Sequence, residues 1–298
     1  MTKIKVALEW FLNPDHLPFI AGIKLKKYRE AGLDVEIFEP NEHYDGFEML
    51  KKELVDIHVN EPLHLFEHYF DGIKSLGCFF ETRGGVMIKK ESIEKLQKNE
   101  KIKITTPASN DVTNKIGFEI LSRYAKKQGF ELDCENVEFI QTDFYHIKNL
   151  KSGLYDGAWL CFYNFEGIEA DFEGIEYLFI DSFISPYPNF SALELMSTNS
   201  VISTKGEAIC KFLEITDVMS EYCKNNIEVA KCLFYDYTKQ PNSALMDKII
   251  EDTVTRFVKP IKSDGSKWFE LYTFLNQLQI SNLTKIEYDN IWANHEKV

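Results

Sequence analysis

The sequence predicts an α/β chain folded into two lobes, each a mainly parallel sheet with helices on both faces. Three observations carry that expectation. Strand and helix patterns alternate from residue 4 to about residue 200, the alternation starts afresh at Gly84, and 298 residues are enough for two sizeable cores. Hydrophobic residues make up 44% of the chain and charged ones 27%, a globular balance.

Taken in order, the β-branched run Ile4-Lys5-Val6-Ala7-Leu8 reads as a strand, and Leu17 to Ala31 as a helix ended by Gly32. A short strand, Asp34 to Phe38, is closed by Pro40. Phe47 to Leu54 follows as a helix and Val55 to Val59 as a strand. After Gly84 come a strand over Gly85–Ile88, another over Ile102–Thr105, and a helix from Asp111 to Lys127 capped by Gly129. Further strands are expected at Val137–Ile140, Gly157–Phe162, Tyr177–Ile180 and Ala192–Met196. The remainder reads as helical: Gly206–Tyr222, Ile227–Tyr237, Ser243–Phe257 and Lys267–Leu278.

Two wirings fit this order. The lobes follow one another, or the chain crosses near Gly84-Gly85 and returns near residues 191–197. The second wiring gives lobes of 1–86 plus 197–298 and 87–196, with a ligand cleft between them. It sets the strand ends Glu9-Trp10 and Asn60-Glu61 at that crevice.

Charge and cysteine usage narrow the function. A net charge of -13 with no run of five basic residues argues against nucleic acid or an anionic membrane as partner. No stretch of eighteen apolar residues occurs, so no membrane span is expected. Cys78, Cys134, Cys161, Cys210, Cys223 and Cys232 are scattered without a CxxC, which predicts buried or half-buried free thiols and neither disulfides nor structural zinc. The opening residues enter a strand with no apolar leader. As written the chain reads as cytoplasmic, or as periplasmic or surface-tethered if a leader has been cut away.

The candidate site residues start at Glu9-Trp10. A flat indole stacks on planar heterocycles, and an adjacent carboxylate accepts hydrogen bonds from an amino group or ring N–H. A core Trp beside a solvated Glu is the plain alternative. Asn13 and His16 follow, and Asn13-Pro14-Asp15 also suits an ordinary turn and helix cap. In "DIHVNEPLHLFEH" a strand ends at Asn60-Glu61, and His64 and His68 fall four apart on one helical face. The HExxH order is absent and no third ligand is evident, so no metal is expected. Ser109 and Asn110 open the helix at Asp111, where an anion or plain capping would fit. Tyr187 and Asn189 lie on the loop "SPYPNFS", and Trp159 on the Gly157–Phe162 strand is a further aromatic candidate for the cleft. GxSxG, P-loop and Rossmann signatures are missing, which favours a binder over a hydrolase.

The stretch "KVALEWFLNPDHLPFIAGIKLKKYREAGLDVEIFEP" with "VDIHVNEPLHL" resembles the opening of the family joining bacterial thiamine-pyrimidine binding proteins to fungal thiamine-pyrimidine synthases. The wider superfamily includes sulfonate-binding proteins. The resemblance implies a type II periplasmic-binding-protein fold, two lobes with an interlobe ligand cleft. It further implies that Glu9 bonds an aminopyrimidine while Trp10 stacks on it, with Tyr187 on the ring's other side.

In the synthases a histidine of the enzyme and a lysine-bound pyridoxal phosphate are consumed with iron. Their histidine position matches His64, but their lysine position is Asn60, the loop 185–195 has no cysteine, and 108–111 has no glycine. Without that lysine no Schiff base forms there. The expectation is a binding protein without cofactor for hydroxymethylpyrimidine or formylaminopyrimidine, in thiamine salvage or uptake through an ABC transporter permease. The alternatives are a synthase-like enzyme using His64, with pyridoxal phosphate and iron, or a binder of another flat heteroaromatic or a sulfonate.

Overall fold

The computed structural model describes residues 1–40 and 45–293, and the alternation resolves into two five-stranded sheets. The first contains β1 (Thr2–Ala7), β2 (Leu33–Phe38), β3 (Ile57–Asn60), β4 (Ile73–Glu81) and β10 (Ala192–Thr198), in the order β2-β1-β3-β10-β4. The second contains β5 (Gly84–Lys89), β6 (Ile102–Thr106), β7 (Val137–Gln141), β8 (Gly157–Phe162) and β9 (Tyr177–Ile180), in the order β7-β6-β8-β5-β9. In each sheet four strands run parallel and one runs against them, β10 in the first and β5 in the second.

The chain divides into two compact units. One comprises Met1–Glu81, Ala192–Asn276 and Ser281–Val298; the other comprises Thr82–Ser191 and Gln277–Ile280. Each antiparallel strand is the first strand the chain makes after passing from one unit to the other.

In the first unit the period-two pattern of β1 puts Ile4, Val6 and Leu8 on one face of the sheet, with Ile57 and Val59 of β3 and Leu193 and Leu195 of β10. Helix α1 (Leu17–Lys24) and the long helix Asn199–Asn225 cover that face with Phe19, Ile20, Ile209 and Phe212. Phe212 is the hub. It has no exposed surface and stacks on Phe19 at 5.7 Å and on Tyr28 at 5.3 Å between ring centroids. In the second unit Met87, Ala158, Cys161 and Phe179 pack against Ile147, Leu150 and Ala170.

Several elements depart from the sequence reading. The expected helix Leu17–Ala31 breaks at Lys26, which adopts φ 60°, and resumes as α2 (Lys27–Glu30) with Tyr28 turned into the core. Strand β4 was not expected at all. The helix expected from Gly206 starts instead at Asn199, capped by the Thr198 hydroxyl, and leaves helical geometry at Lys205. That residue's ammonium bonds the Lys3 carbonyl and both oxygens of Asp56, at 2.8–2.9 Å. All six cysteines are free, but Cys134 and Cys232 are exposed rather than buried or half-buried. Among the described residues no helix is long and apolar enough to cross a membrane.

Phe212→Ala removes a fully buried ring from the hub of this core. It is expected to lower the unfolding free energy by about 3–5 kcal/mol in urea denaturation; a loss below about 1 kcal/mol would contradict the assignment.

Candidate functional site

Strand β1 makes its last ladder bond where the Leu8 N–H donates to the Phe38 carbonyl at 2.9 Å, and the chain then bends through residues 9–12. Asn13 caps the short 3-10 turn Pro14–His16 that leads into α1. Its side-chain oxygen accepts from the Asp15 N–H at 2.8 Å, and its own N–H donates to Nδ1 of His16 at 3.2 Å. With Nδ1 occupied as an acceptor, the neutral ring carries its proton on Nε2, which donates to Glu9 Oε1 at 3.1 Å and lies 3.3 Å from Oε2. His16 has no exposed surface. Burial alone disfavours the imidazolium, but the Glu9 carboxylate outweighs it and holds the histidine above its ordinary pKa. The Glu9 side chain keeps 13% exposure, and the half-buried Trp10 beside it lies 4.5 Å from Phe11 between ring centroids.

A second histidine, not picked out by the sequence reading, locks the end of β3. His58 donates from Nδ1 to the Ala7 carbonyl at 3.1 Å, and its Nε2 accepts from Asn60 Nδ2 at 3.1 Å. Burial lowers its pKa to about 4, so it stays neutral near neutral pH. The ring lies against Gly46 of α3 (Gly46–Lys51), where any Cβ would come within 2.2 Å of His58 Cε1. Asn60 also accepts the Glu61 N–H, at 2.8 Å.

Glu61 stands at the N-terminus of α4 (Pro62–Glu67), and its side chain makes no cap bond. Burial raises its pKa to about 7, with the charge of Glu9 adding to the shift and His64 opposing it. His64 Nδ1 lies 3.0 Å from Glu67 Oε2. Burial would lower the His64 pKa, but the bond to Glu67 and the charges of Glu61 and Glu67 leave it raised. Glu9, His58, Glu61 and His64 therefore share one electrostatic environment at the ends of β1 and β3. A flat ring, a fixed carboxylate and a carboxyl that titrates near neutrality are suited to an amino-bearing heterocycle, since Glu61 can accept or donate.

Of the sequence candidates, Glu9, Trp10, Asn13, His16, Asn60, Glu61 and His64 fall in the first unit. Ser109, Asn110, Trp159, Tyr187 and Asn189 fall in the second, and their polar atoms serve the fold. Ser109 Oγ donates to the Phe139 carbonyl at 3.2 Å, and Asn110 caps the helix Asp111–Gln128. Trp159, almost fully buried, donates to the Thr113 carbonyl at 3.0 Å. Tyr187 is buried with its hydroxyl on the Gly84 carbonyl at 2.6 Å, and Asn189 Nδ2 donates to the Thr82 carbonyl at 2.8 Å. Asn13 likewise acts as a cap.

Comparison with known proteins bears on the family and the fold. The family described as NMT1/THI5 like matches residues 13–230. The chain belongs to the NMT1/THI5-like family. A Haemophilus influenzae relative, provisionally named a thiamine biosynthesis protein, is 23% identical over 282 residues, spanning 92% of this chain and 87% of its own. Among solved structures, the periplasmic aliphatic sulphonate binding protein SsuA of Escherichia coli superposes with a TM-score of 0.70 at 11% identity, covering 98% of this chain and 92% of its own. The alkanesulfonate-binding protein SsuA of Xanthomonas axonopodis pv. citri, bound to MOPS, gives 0.67 at 9% identity, with 98% of both chains covered. A conserved Candida albicans gene product, described as having the generic periplasmic binding protein structural fold, gives 0.66 at 14%, covering 98% and 96%. This member of the NMT1/THI5-like family thus has the type II periplasmic-binding-protein fold.

The Glu61 shift has a thermodynamic sign. The folded state binds the extra proton between the ordinary 4.5 and about 7, so the residue's contribution to stability falls as pH rises through that window and stays unfavourable above it. Glu61→Gln is therefore expected to raise the Tm over wild type at pH 8 and to leave it unchanged near pH 4. An equal gain at both pH values in thermal denaturation would contradict the shift.

Proposed function

We propose that this NMT1/THI5-like protein binds an aminopyrimidine precursor of thiamine, of the hydroxymethylpyrimidine or formylaminopyrimidine type. The observation that carries the reading is the Glu9 carboxylate fixed by the buried His16 directly beside Trp10. Glu9 would accept from the exocyclic amino group and Trp10 would stack on the ring. Glu61, titrating near neutrality, would face a ring nitrogen in either protonation state. The name of the Haemophilus influenzae relative supports thiamine metabolism as the setting.

A role in uptake, with delivery to an ABC-type permease from outside the cytoplasm, is the setting that the SsuA neighbours support. The synthase chemistry finds no support at Asn60, whose amide is bonded to His58 and to the Glu61 N–H.

Isothermal titration with 4-amino-5-hydroxymethyl-2-methylpyrimidine, its formylaminomethyl analogue, thiamine and riboflavin tests the proposal. Saturable binding of a pyrimidine, abolished in Glu9→Ala, is expected. Trp10→Ala should weaken that binding by about 1.5–3 kcal/mol. Unchanged affinity in Trp10→Ala would refute the stacking, and silence from both pyrimidines would overturn the ligand assignment.

A further inference from the structure

The last turn of α4 gathers three side chains that the ligand reading leaves largely unused. His64, Glu67 and His68 sit at i, i+3 and i+4, so they share one face of the turn. Their ligating atoms all lie within 4.8 Å of one another. Glu67 Oε2 is 3.0 Å from His64 Nδ1 and 3.7 Å from His68 Nε2. In a tetrahedral site with bonds of about 2.0–2.1 Å, ligand atoms stand about 3.3 Å apart, and the two observed spacings bracket that value.

We infer that His64, Glu67 and His68 form a binding site for a divalent transition metal, zinc being the best match. Two imidazoles and one carboxylate suit zinc, cobalt or nickel; magnesium and calcium prefer an all-oxygen set. The sequence reading names the two histidines and no third ligand; Glu67, at i+3 on the same face, supplies it.

The geometry is partly organised in advance. The His64 and His68 rings stand 6.0 Å apart with planes only 29° from parallel. His68 is held against Phe47 of α3 at 5.0 Å, and the buried Phe47 in turn packs edge-on against His58 at 4.8 Å. A metal replaces the His64–Glu67 hydrogen bond with two coordinate bonds to the same atoms. The three side chains keep 35%, 25% and 53% exposure, so an ion has access and a fourth position stays open to water or to a donor atom of a ligand. Affinity falls as the imidazoles protonate, since protons compete for the same nitrogens.

The test is calorimetric titration of the metal-free full chain with Zn²⁺, with Co²⁺ absorption as a spectroscopic reporter. One equivalent of Zn²⁺ should bind saturably, and His68→Ala and Glu67→Gln should each weaken it at least tenfold and remove the visible Co²⁺ band. Both positions are partly solvent-exposed, so the variants should fold. Absence of saturable Zn²⁺ binding overturns the inference, as does binding unchanged in both variants, which would put the ion elsewhere. No pyrimidine enters this titration, and neither variant touches Glu9 or Trp10. The metal site and the proposed ligand therefore stand or fall separately.

Discussion

His16 has no contact with solvent, and both of its ring nitrogens are engaged. One accepts the N–H of its own cap residue, Asn13, and the other donates to Glu9. That arrangement joins the start of α1 to the bend after β1, so the helix cannot shift without releasing the carboxylate. A buried acid–imidazole pair costs desolvation, and its stability depends on every lone pair and proton being satisfied. Here the Asn13 N–H engages the second ring nitrogen of His16, so neither nitrogen of the buried imidazole is left unpaired. The result is a fixed carboxylate next in sequence to an aromatic residue, and in the proposed complex that fixed geometry would lower the ordering cost of binding.

His58 does for β3 what His16 does for β1. It is neutral, ties the Ala7 carbonyl to the Asn60 amide, and sits where only a glycine backbone fits opposite it. The ends of two adjacent parallel strands are thus cross-linked by side chains just where their backbone ladder stops. Glu61 emerges from that junction with a pKa near neutrality, because the elements around it bury the carboxyl without giving it a cation partner strong enough to offset the loss of water.

Much of the fold was legible because local pattern and tertiary role agreed. Gly157–Phe162 and Tyr177–Ile180 were read with their observed ends, and the Asp111 helix was read to within a residue, since Asn110 and Gly129 mark its ends chemically. Strand β4 was not legible. It is buried along most of its length, so it lacks polar alternation, and the strand it pairs with, β10, is more than a hundred residues away. The break at Lys26 was also hidden, and so was the stretch of helix that leads up to the break at Lys205. Each break serves a distant partner: Tyr28 reaching Phe212 in the first case, and the Lys205 ammonium reaching Asp56 in the second.

For the candidate site the sequence shows residue types and spacing but not their partners. Adjacency of an acid and a tryptophan at a strand end singles out Glu9-Trp10 from the sequence alone, whereas the bonds that Asn13 and Asn110 make as caps and Tyr187 makes to a backbone carbonyl are seen only in the fold. His58 went unnoticed, although its place two residues before Asn60 puts both on one face of β3. The central claim is that the His16-anchored Glu9 reads the amino group of a pyrimidine. The most direct measurement is a crystal structure with 4-amino-5-hydroxymethyl-2-methylpyrimidine bound. The account predicts the exocyclic amino nitrogen within hydrogen-bond distance of a Glu9 oxygen and the ring parallel to Trp10. A pyrimidine seated away from both side chains would contradict it.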